Sequence, residues 1–565
     1  MARTGTDDLW YAGSRDADGN LILTQTRTGQ QFLNYSQSST GERTMYLESN
    51  LNYNHSFGKH TFGGLLLYNM RNRVVATGST AIASIPYRNQ SLAGRATYSY
   101  ADRYLLEFDG GYTGSENFAP GHRFGFFPSV SGGWVISKED FFKHLTGKIN
   151  LLKIRGSHGV VGNDNIGTAY GSARFGYLTQ IGPGNTASFG TTPTAYYGNT
   201  EAVLGNPDLT WELSTKDDIG LEVGILSKLN IVLDAYQDRR KHILINRQSI
   251  SPIAGYSNLA IFANLGEMNN RGMDGSVEYK DRFGKDVSLR LFANFTYAKN
   301  KIVFQDEPTR IYRYQEGTGH QYGEFYGYTA EGLFKDQADL NKSPVQSFGV
   351  TNPGDIKYKD MNGDGTIDGN DWSYLGKTPF PTLLYGMGFT VGYKKFDLSL
   401  MFQGVSGVSI MANGSANTAS ASTAPAAGSI TGSGSTGVGV VPFAGEGQYP
   451  SNIISDVANR WTVANPSQHV DYPRLSIASS SDNNYLGSTW WLKNGDYCRL
   501  KQASLGYTVS SRGIRRSGFT ALYFYTSGVN LFNFTRFKLW DPELGSDGAT
   551  YPPARTITFG VKAQL

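Results

Sequence analysis

The residue pattern with the most specific chemistry lies between Asp360 and Asp371. Read as a twelve-residue loop, it carries oxygen-bearing side chains at positions 1, 3, 5, 9 and 12, with Gly365 at position 6 and Ile367 at position 8. Calcium takes six to eight oxygen ligands, and this spacing can wrap them around one ion, with glycine at the sharp turn. The alternative is an Asx-rich turn that holds no ion.

The spacing assigns each ligand to a loop position. Because the motif lies in a long connection that we predict to be external, a structural calcium ion is expected rather than a transported one. Side-chain oxygens come from four positions, and two further positions give a backbone carbonyl and a direct or water-mediated contact. In that order the predicted ligands are Asp360, Asn362, Asp364 and Asp371, then Thr366 and Asp368.

Aromatic residues in the predicted loops are candidates for ligand binding, because a flat ring can stack on the face of a sugar. They could equally serve only to pack the loops. The candidates are Tyr196, Tyr197, Tyr312, Tyr314, Tyr322, Trp490 and Trp491.

Other motifs give no support for catalysis or nucleotide binding. The GxGxxG at Gly432–Gly437 lies within 412–447, which is rich in Ala, Gly, Ser and Thr, and it neither follows a strand nor opens a helix. We interpret 412–447 as a flexible loop. The sequence has no HExxH motif and no GxSxG motif, and Cys498 is its one cysteine, placed on a predicted strand. We therefore predict that the protein is not an enzyme.

Composition indicates what kind of fold must position these residues. Gly accounts for 69 of 565 residues, 13% are aromatic and only 17% are charged, which favours strands over helices. A net charge of +4 is small for this length and does not indicate a nucleic-acid partner. No stretch approaches 18 consecutive apolar residues, so spanning helices are not expected, whereas a membrane β-barrel remains compatible.

Period-two alternation is the strongest structural signal. In 383–393 the odd positions are apolar or aromatic, and the even positions are mainly small. The segments 286–298 and 555–565 alternate in the same way. An apolar face opposite a mixed face is typical of a strand that lies between lipid or a protein core on one side and water on the other.

The pattern predicts about 16 strands of about 11 residues, long enough to cross a bilayer when tilted. Mostly short links alternate with longer ones, which is typical of an outer-membrane barrel. Several soluble β-domains, as in a secreted glycan-binding protein, are the alternative. The predicted strands lie near 21–35, 45–56, 60–70, 90–100, 103–115, 124–136, 148–160, 213–225, 229–240, 270–281, 285–299, 383–393, 396–406, 497–507, 518–532 and 555–565.

Ordered motifs along nearly the whole chain resemble the SusC/RagA group of TonB-dependent outer-membrane transporters. They are FFPSVSGGW (126–134), GNPDLTWE (205–212), NLGEMNNRGMDGSVEY (264–279), PGDIKYKDMNGDGTIDGND (353–371), RWTVANPSQHVDYPRL (460–475), NGDYCRLKQASLGYTV (494–509) and PPARTITFGVKAQL (552–565). The resemblance implies an all-β fold, namely a transmembrane antiparallel barrel of 22 strands, of which about 16 are expected here. On this reading residues 1–565 are a partial barrel without the family's plug, and 353–371 is a calcium-type loop within an external excursion.

The resemblance also implies a function and partners. We expect import of oligosaccharides or peptides across the outer membrane of a Gram-negative bacterium. A SusD-like surface lipoprotein would cap the barrel, and the TonB complex would act through the plug region. Outer-membrane lipid and the ligand complete the expected partners, with no nucleic acid among them.

Hairpin parity predicts which side each connection faces. We expect 241–269, 301–382, 407–496 and 533–554 outside the cell, and Lys394-Lys395 in the periplasm. Seven apolar residues are predicted to face lipid, namely Val287, Leu291, Phe295, Phe389, Val391, Phe559 and Val561.

Overall fold

The structure is a computed structural model. It describes residues 2–6, 9–15, 18, 21–27, 30–36, 41–75, 81–166, 174–189, 194–251, 253, 261–412, 459–474, 483–510, 514, 518–546 and 551–564.

The chain divides into two compact units. One comprises Met1–Ser49 and Asn69–Gln90, and the other comprises Asn50–Tyr68 and Ser91–Leu565. The first unit contains four short strands in two antiparallel pairs, β1 with β4 and β2 with β3. Their bounds are β1 (Ala2–Thr6), β2 (Leu9–Arg15), β3 (Leu21–Arg27) and β4 (Gln30–Ser36).

A sheet of 15 strands is the main element of the fold. Its order is β29-β28-β27-β24-β23-β16-β15-β14-β13-β10-β9-β8-β7-β6-β5, so strands that are neighbours in the chain pair in space. The strands are β5 (Glu42–Phe57), β6 (His60–Val75), β7 (Tyr87–Tyr100), β8 (Tyr104–Ser115), β9 (Phe124–Val135), β10 (Ile149–Asn163), β13 (Glu212–Ile225), β14 (Leu229–Asn246), β15 (Phe262–Phe283), β16 (Val287–Phe304), β23 (Leu383–Tyr393), β24 (Phe396–Ser406), β27 (Tyr497–Val509), β28 (Ala521–Thr535) and β29 (Thr556–Gln564).

This sheet corresponds to 15 of the 16 predicted strands. The exception is 21–35, which is wrong as a single strand of the large sheet, because it divides into β3 and β4, each paired in a separate two-stranded sheet. The predicted strands 229–240 and 270–281 are shorter than the strands of the structure, because β14 continues to Asn246 and β15 begins at Phe262.

Register places the predicted lipid-facing residues on one face of the sheet. Leu291 lies opposite Phe389, and Val287 lies opposite Tyr393. Across the next pairs, Val391 faces Leu398, and Thr526 faces Phe559. This face exposes large apolar side chains, with 79% of Phe559 exposed. Such a surface is the one a barrel presents to hydrocarbon.

The connections differ in length between the two ends of the strands, which we call the short-turn edge and the long-loop edge of the sheet. At one edge they are mostly short, and Lys394-Lys395 forms a two-residue hairpin between the paired residues Tyr393 and Phe396. Lys394 has a φ of 54°, the left-handed conformation that such tight hairpins require. At the other edge the connections include 305–382 and 407–496.

The connections contain short elements of their own. None of the helices among the described residues is long and apolar enough to cross a membrane. The α-helices among the described residues are α1 (Ala81–Ser84) and α2 (Gln337–Lys342), and short 3-10 helices include Arg313–Gln315 and Gly369–Asp371. The additional strands are β11 (Gln180–Phe189), β12 (Thr194–Val203), β17 (Tyr326–Gly327), β18 (Ala330–Leu333), β19 (Val345–Gln346), β20 (Ile356–Tyr358), β21 (Thr366–Ile367), β22 (Ser373–Tyr374), β25 (Ser409–Met411) and β26 (Leu492–Asn494).

Candidate functional site

The long connections pack into a hydrophobic cluster, which we call the loop core. Burial of apolar surface drives these segments to fold against one another. Phe325, Ile356 and Ile367 are completely buried in it. Its buried members are Phe325, Tyr328, Leu333, Ile356, Tyr358, Ile367, Trp372, Met411, Ala412, Trp461, Tyr472, Leu486 and Trp491.

A buried ion pair joins two distant segments of the loop core. The carboxylate of Asp355 is fully buried and lies 2.7 Å from Nε of Arg474. Asn484 donates from its side-chain amide to the same carboxylate at 2.8 Å, and the backbone N–H of Asn352 donates to it at 2.7 Å. Burial raises the pKa of the Asp355 carboxyl, and these donors oppose the rise.

An amide network lies next to this pair. The side chain of Gln346 accepts the backbone N–H of Tyr358 at 2.7 Å and donates to the carbonyl of Ile356 at 3.0 Å. The Tyr358 hydroxyl donates to the carbonyl of Asn483 at 2.6 Å. These contacts join connections that lie far apart in the chain, so the loop core is one packed platform rather than a set of independent loops.

The predicted calcium loop has a defined local structure on this platform. Both carboxylate oxygens of Asp360 accept backbone N–H groups, from Gly363 at 2.6 Å and from Gly365 at 2.8 Å. Gly365, at loop position 6, has a φ of +84°, where a side chain would be strained. Asp364 accepts the N–H of Thr366 at 2.8 Å.

The second half of the loop is anchored by Asp371, which is fully buried. Its two oxygens accept the N–H groups of Met361 at 2.7 Å and Asp368 at 2.8 Å. Asp368 in turn accepts the N–H of Asn370 at 2.7 Å, and it forms a capping box with Asp371, in which each side chain accepts the backbone N–H of the other residue. The loop is therefore closed by its own acidic side chains.

The donor set fits calcium in chemical type, since it consists of carboxylate, amide and carbonyl oxygens around a glycine turn. Among the residues described, however, the acidic side chains do not gather in a group of three or more that could hold a metal ion. The six predicted ligands thus share one loop, but its carboxylates bind backbone N–H groups rather than converging on a point.

Tyr312 and Tyr314 lie against this loop. Their rings are stacked, with centroids 5.3 Å apart and an interplanar angle of 9°. The Tyr314 hydroxyl donates to the carbonyl of Asn370 at 2.7 Å, and the side chain of Asn362 donates to the Tyr312 hydroxyl at 3.2 Å. The structure thus brings two of the predicted aromatic residues to the predicted calcium loop.

The other aromatic candidates are distributed over several environments. Tyr196 and Tyr197 lie on β12 and are 58% and 81% exposed, and Tyr322 is 42% exposed. Trp491 is only 3% exposed, and its indole N–H donates to the carbonyl of Asn484 at 2.8 Å. Trp490 packs partly buried against the loop core. In this structure Trp491 therefore packs the core and has no free face for a ligand.

The ion pair of Asp355 and Arg474 lies beyond what sequence reasoning identified. The roles of Asp355 and Arg474 depend on a contact between positions far apart in the chain, although both lie within motifs that carry the family resemblance. The GxGxxG at Gly432–Gly437 lies outside the described residues.

Sequence comparison finds similar proteins that are named TonB-dependent receptors. No protein-family model matches the chain. The chain is 26% identical to TonB-dependent receptor P3 of Formosa agariphila over 574 residues, which is 92% of this chain and 52% of that protein. It is 26% identical to TonB-dependent receptor SusC of Bacteroides thetaiotaomicron over 498 residues, 84% of this chain and 43% of that protein. The chain thus spans about half the length of these relatives, whose names are those of receptors rather than enzymes.

A solved structure shares the fold. The structure of the RagAB peptide transporter superposes with a TM-score of 0.67 and 19% identity, covering 93% of this chain and 56% of that one. The RagAB peptide importer in its "open-open" state gives a TM-score of 0.67 over 94% of this chain.

Proposed function

Because the chain is homologous over most of its length to SusC-type TonB-dependent receptors and has the fold of an outer-membrane barrel protein, we propose that it forms the barrel part of a nutrient importer. Its location is the outer membrane of a Gram-negative bacterium. The proposed cargo is an oligosaccharide or a peptide, bound without covalent chemistry.

The loop core is the observation that carries this proposal. A transporter must present a shaped surface where ligand arrives, and a preorganised surface binds with less loss of conformational entropy. Here connections of many tens of residues are fixed by the Asp355–Arg474 pair and the Gln346–Tyr358 contact. A set of separate soluble β-domains, the alternative from sequence, does not account for 15 strands in one sheet.

The proposed partners come from the resemblance to the SusC/RagA group. A SusD-like lipoprotein would rest on the loop core, and the TonB complex would supply energy through a plug region of the whole protein. RagAB is a peptide transporter, and SusC is a TonB-dependent receptor. We extend both properties to this protein as part of the proposal.

Growth measurements test the import function. A strain lacking the gene, the same strain complemented with it, and a strain lacking TonB should be grown on maltodextrins of defined length and on a tryptic digest of casein. We expect the deletion and the TonB-deficient strain to lose growth on the same carbon source, and complementation to restore it. Equal growth of the deletion and the parent on every source would contradict the proposal.

The exposed aromatic residues are the proposed ligand contacts. Tyr197 exposes most of its ring, and the stacked pair Tyr312 and Tyr314 presents a partly exposed aromatic surface. Tyr197→Ala and Tyr312→Ala should each weaken binding of the supported ligand several-fold. Tyr393→Ala, which removes a half-exposed ring at the opposite edge, is the matched control and should leave binding unchanged.

We also propose that the loop 360–371 binds Ca²⁺ as a structural ion. Binding would draw the carboxylates of Asp360, Asp364 and Asp371 together, with Asn362, Thr366 and Asp368 completing the oxygen set. The glycine turn at Gly365 and the buried anchor at Asp371 already supply the backbone path.

Calorimetry on chelator-treated protein tests the calcium proposal. CaCl2 should give a binding heat in the parent protein, and Asp364→Ala should reduce the affinity at least tenfold. Glu331→Ala removes an exposed carboxylate from the same connection and serves as the control. Absence of heat in the parent would leave an Asx-rich turn without an ion.

A further inference from the structure

The outward face of β16 carries an apolar band of defined height. Every outward residue from Val287 to Tyr297 is apolar or aromatic. These ten steps span about 34 Å along the strand, or about 26 Å along the membrane normal at a tilt of about 40°. The apolar band of outer-membrane barrels is about 25 Å tall and ends in aromatic residues. Tyr297 therefore marks the edge of the hydrocarbon.

The next outward positions on this and the adjacent strand are basic. Lys299 and Lys301 follow Tyr297 on the same face of β16, and Arg271 of β15 lies directly opposite Lys299. All three side chains are exposed. Neighbouring strands are about 4.8 Å apart and alternate residues about 6.8 Å apart, so the three long side chains start close enough together to reach one phosphate group.

This arrangement is unfavourable without an anion. Like charges directly opposite on paired strands repel each other. Among the described residues, no carboxylate oxygen lies within ion-pair distance of Arg271, Lys299 or Lys301, whereas Arg239 on the next strand pairs with Asp217 at 2.7 Å. The three cations at the edge of the hydrocarbon thus have a charge that the protein itself does not neutralise.

We propose that Arg271, Lys299 and Lys301 bind the phosphate of a lipid A-type glycolipid in the outer leaflet. Guanidinium and ammonium groups hold phosphate by charge-assisted hydrogen bonds. The acyl chains would lie along the apolar band below Tyr297. The proposal depends on the outer-membrane location and on the long connections facing outward, and it is independent of the cargo and of import.

Native mass spectrometry of the detergent-purified protein tests this site. Diphosphoryl lipid A, its dephosphorylated form, phosphatidylglycerol and inorganic phosphate are added separately. We expect diphosphoryl lipid A to bind most tightly, and Arg271→Gln with Lys299→Gln to weaken that binding at least tenfold. Lys285→Gln with Lys395→Gln, which removes two exposed cations at the opposite edge, should leave the binding unchanged.

Three results would overturn the proposal. They are equal lipid A binding by the parent and the Arg271/Lys299 variant, equal binding of the dephosphorylated lipid, and displacement of lipid A by phosphatidylglycerol or millimolar inorganic phosphate. Retention of the heat-modifiable gel shift typical of folded barrels shows that a variant is folded, so weakened binding cannot be attributed to misfolding. Lys301→Gln, which removes the single cation furthest from the hydrocarbon, should reduce the affinity by less than the double change does.

Discussion

The large sheet and the loop core place their apolar residues in opposite environments. On the sheet, Phe559 and Ile219 leave 79% and 68% of their surface exposed, whereas Phe325 and Ile356 in the loop core are completely buried. The sheet satisfies its backbone through the strand ladder and relies on lipid to cover its side chains. The loop core must bury its own apolar surface because it folds in water. The two regions are thus stabilised in different ways, and a substitution in one region should leave the other region folded.

The largest expected effect is removal of the charge that compensates Asp355. Arg474→Met would leave the Asp355 carboxylate buried without its cation, at a cost of about 3–5 kcal/mol to the loop core. We expect faster hydrogen exchange in 352–372 with no change in the heat-modifiable gel shift of the barrel. The exposed Arg313 gives a matched control, since Arg313→Met should leave exchange in this segment unchanged. Simultaneous loss of the sheet would show that the two regions are not separable.

The next effect concerns the lipid face of the sheet. Phe295→Arg near the middle of β16 should destabilise the barrel by roughly 2–4 kcal/mol, because it places a cation in hydrocarbon. Asn294 points to the other face, where it is paired with Gly386, so Asn294→Arg should be much milder. Urea-induced unfolding in lipid vesicles measures both variants. Equal tolerance at the two positions would contradict the assignment of the faces.

A smaller effect is expected from pH on the stability of the loop 360–371, which we propose binds calcium. Burial, followed by the nearby Asp371 carboxylate, raises the pKa of Tyr314 to about 12. The unfolded chain releases this proton near the ordinary value of about 10, so the stability of the loop falls as pH rises from about 10 toward about 12. Tyr314→Phe should lose about 1 kcal/mol at neutral pH and lack this alkaline decline. Subtilisin cleavage within 360–371 at pH 9 and pH 11 compares the two proteins.

The last prediction concerns the orientation of the sheet and the loop core in the membrane, and its substitutions should not change stability. In a Cys498→Ser background, Val350→Cys lies in a connection at the long-loop edge, where the native side chain is 88% exposed. It should react with a membrane-impermeant maleimide on intact cells. Lys394→Cys, in the tight hairpin at the opposite edge, should react only after the outer membrane is opened. Labelling of Lys394→Cys from outside would reverse the proposed topology.

The sheet was largely predictable because its information is local. Alternation along 383–393 and 396–406 identified both strands and the Lys394-Lys395 turn with the bounds that the structure has. The signal weakened where both faces become polar, so β15 begins eight residues before the predicted strand. The residue pattern of 21–35 does not identify a pairing partner, so its place outside the large sheet is not predictable from these residues alone.

The loop core was less predictable because its contacts connect residues far apart in the chain. The twelve-residue loop could be identified from its own spacing, and its Asx contacts are local. The position of Tyr312 beside Asn362 and the burial of Trp491 depend on packing between different connections. The spacing of these residues in the sequence does not predict that packing.

The length of β15 has a consequence for the surroundings of the protein. Phe283 pairs with Val287, where the apolar band begins at the short-turn edge. The part of this 22-residue strand that is longer than the band therefore extends beyond the band at the long-loop edge. From Met273, which faces Tyr297, to Phe262 the strand rises roughly 29 Å above the hydrocarbon. In the proposed orientation this part of β15 passes through the layer of sugars that coats the cell surface. Asn246 and Phe262, which pair at the tip of β14 and β15, would therefore stand within or beyond that layer rather than at the lipid surface.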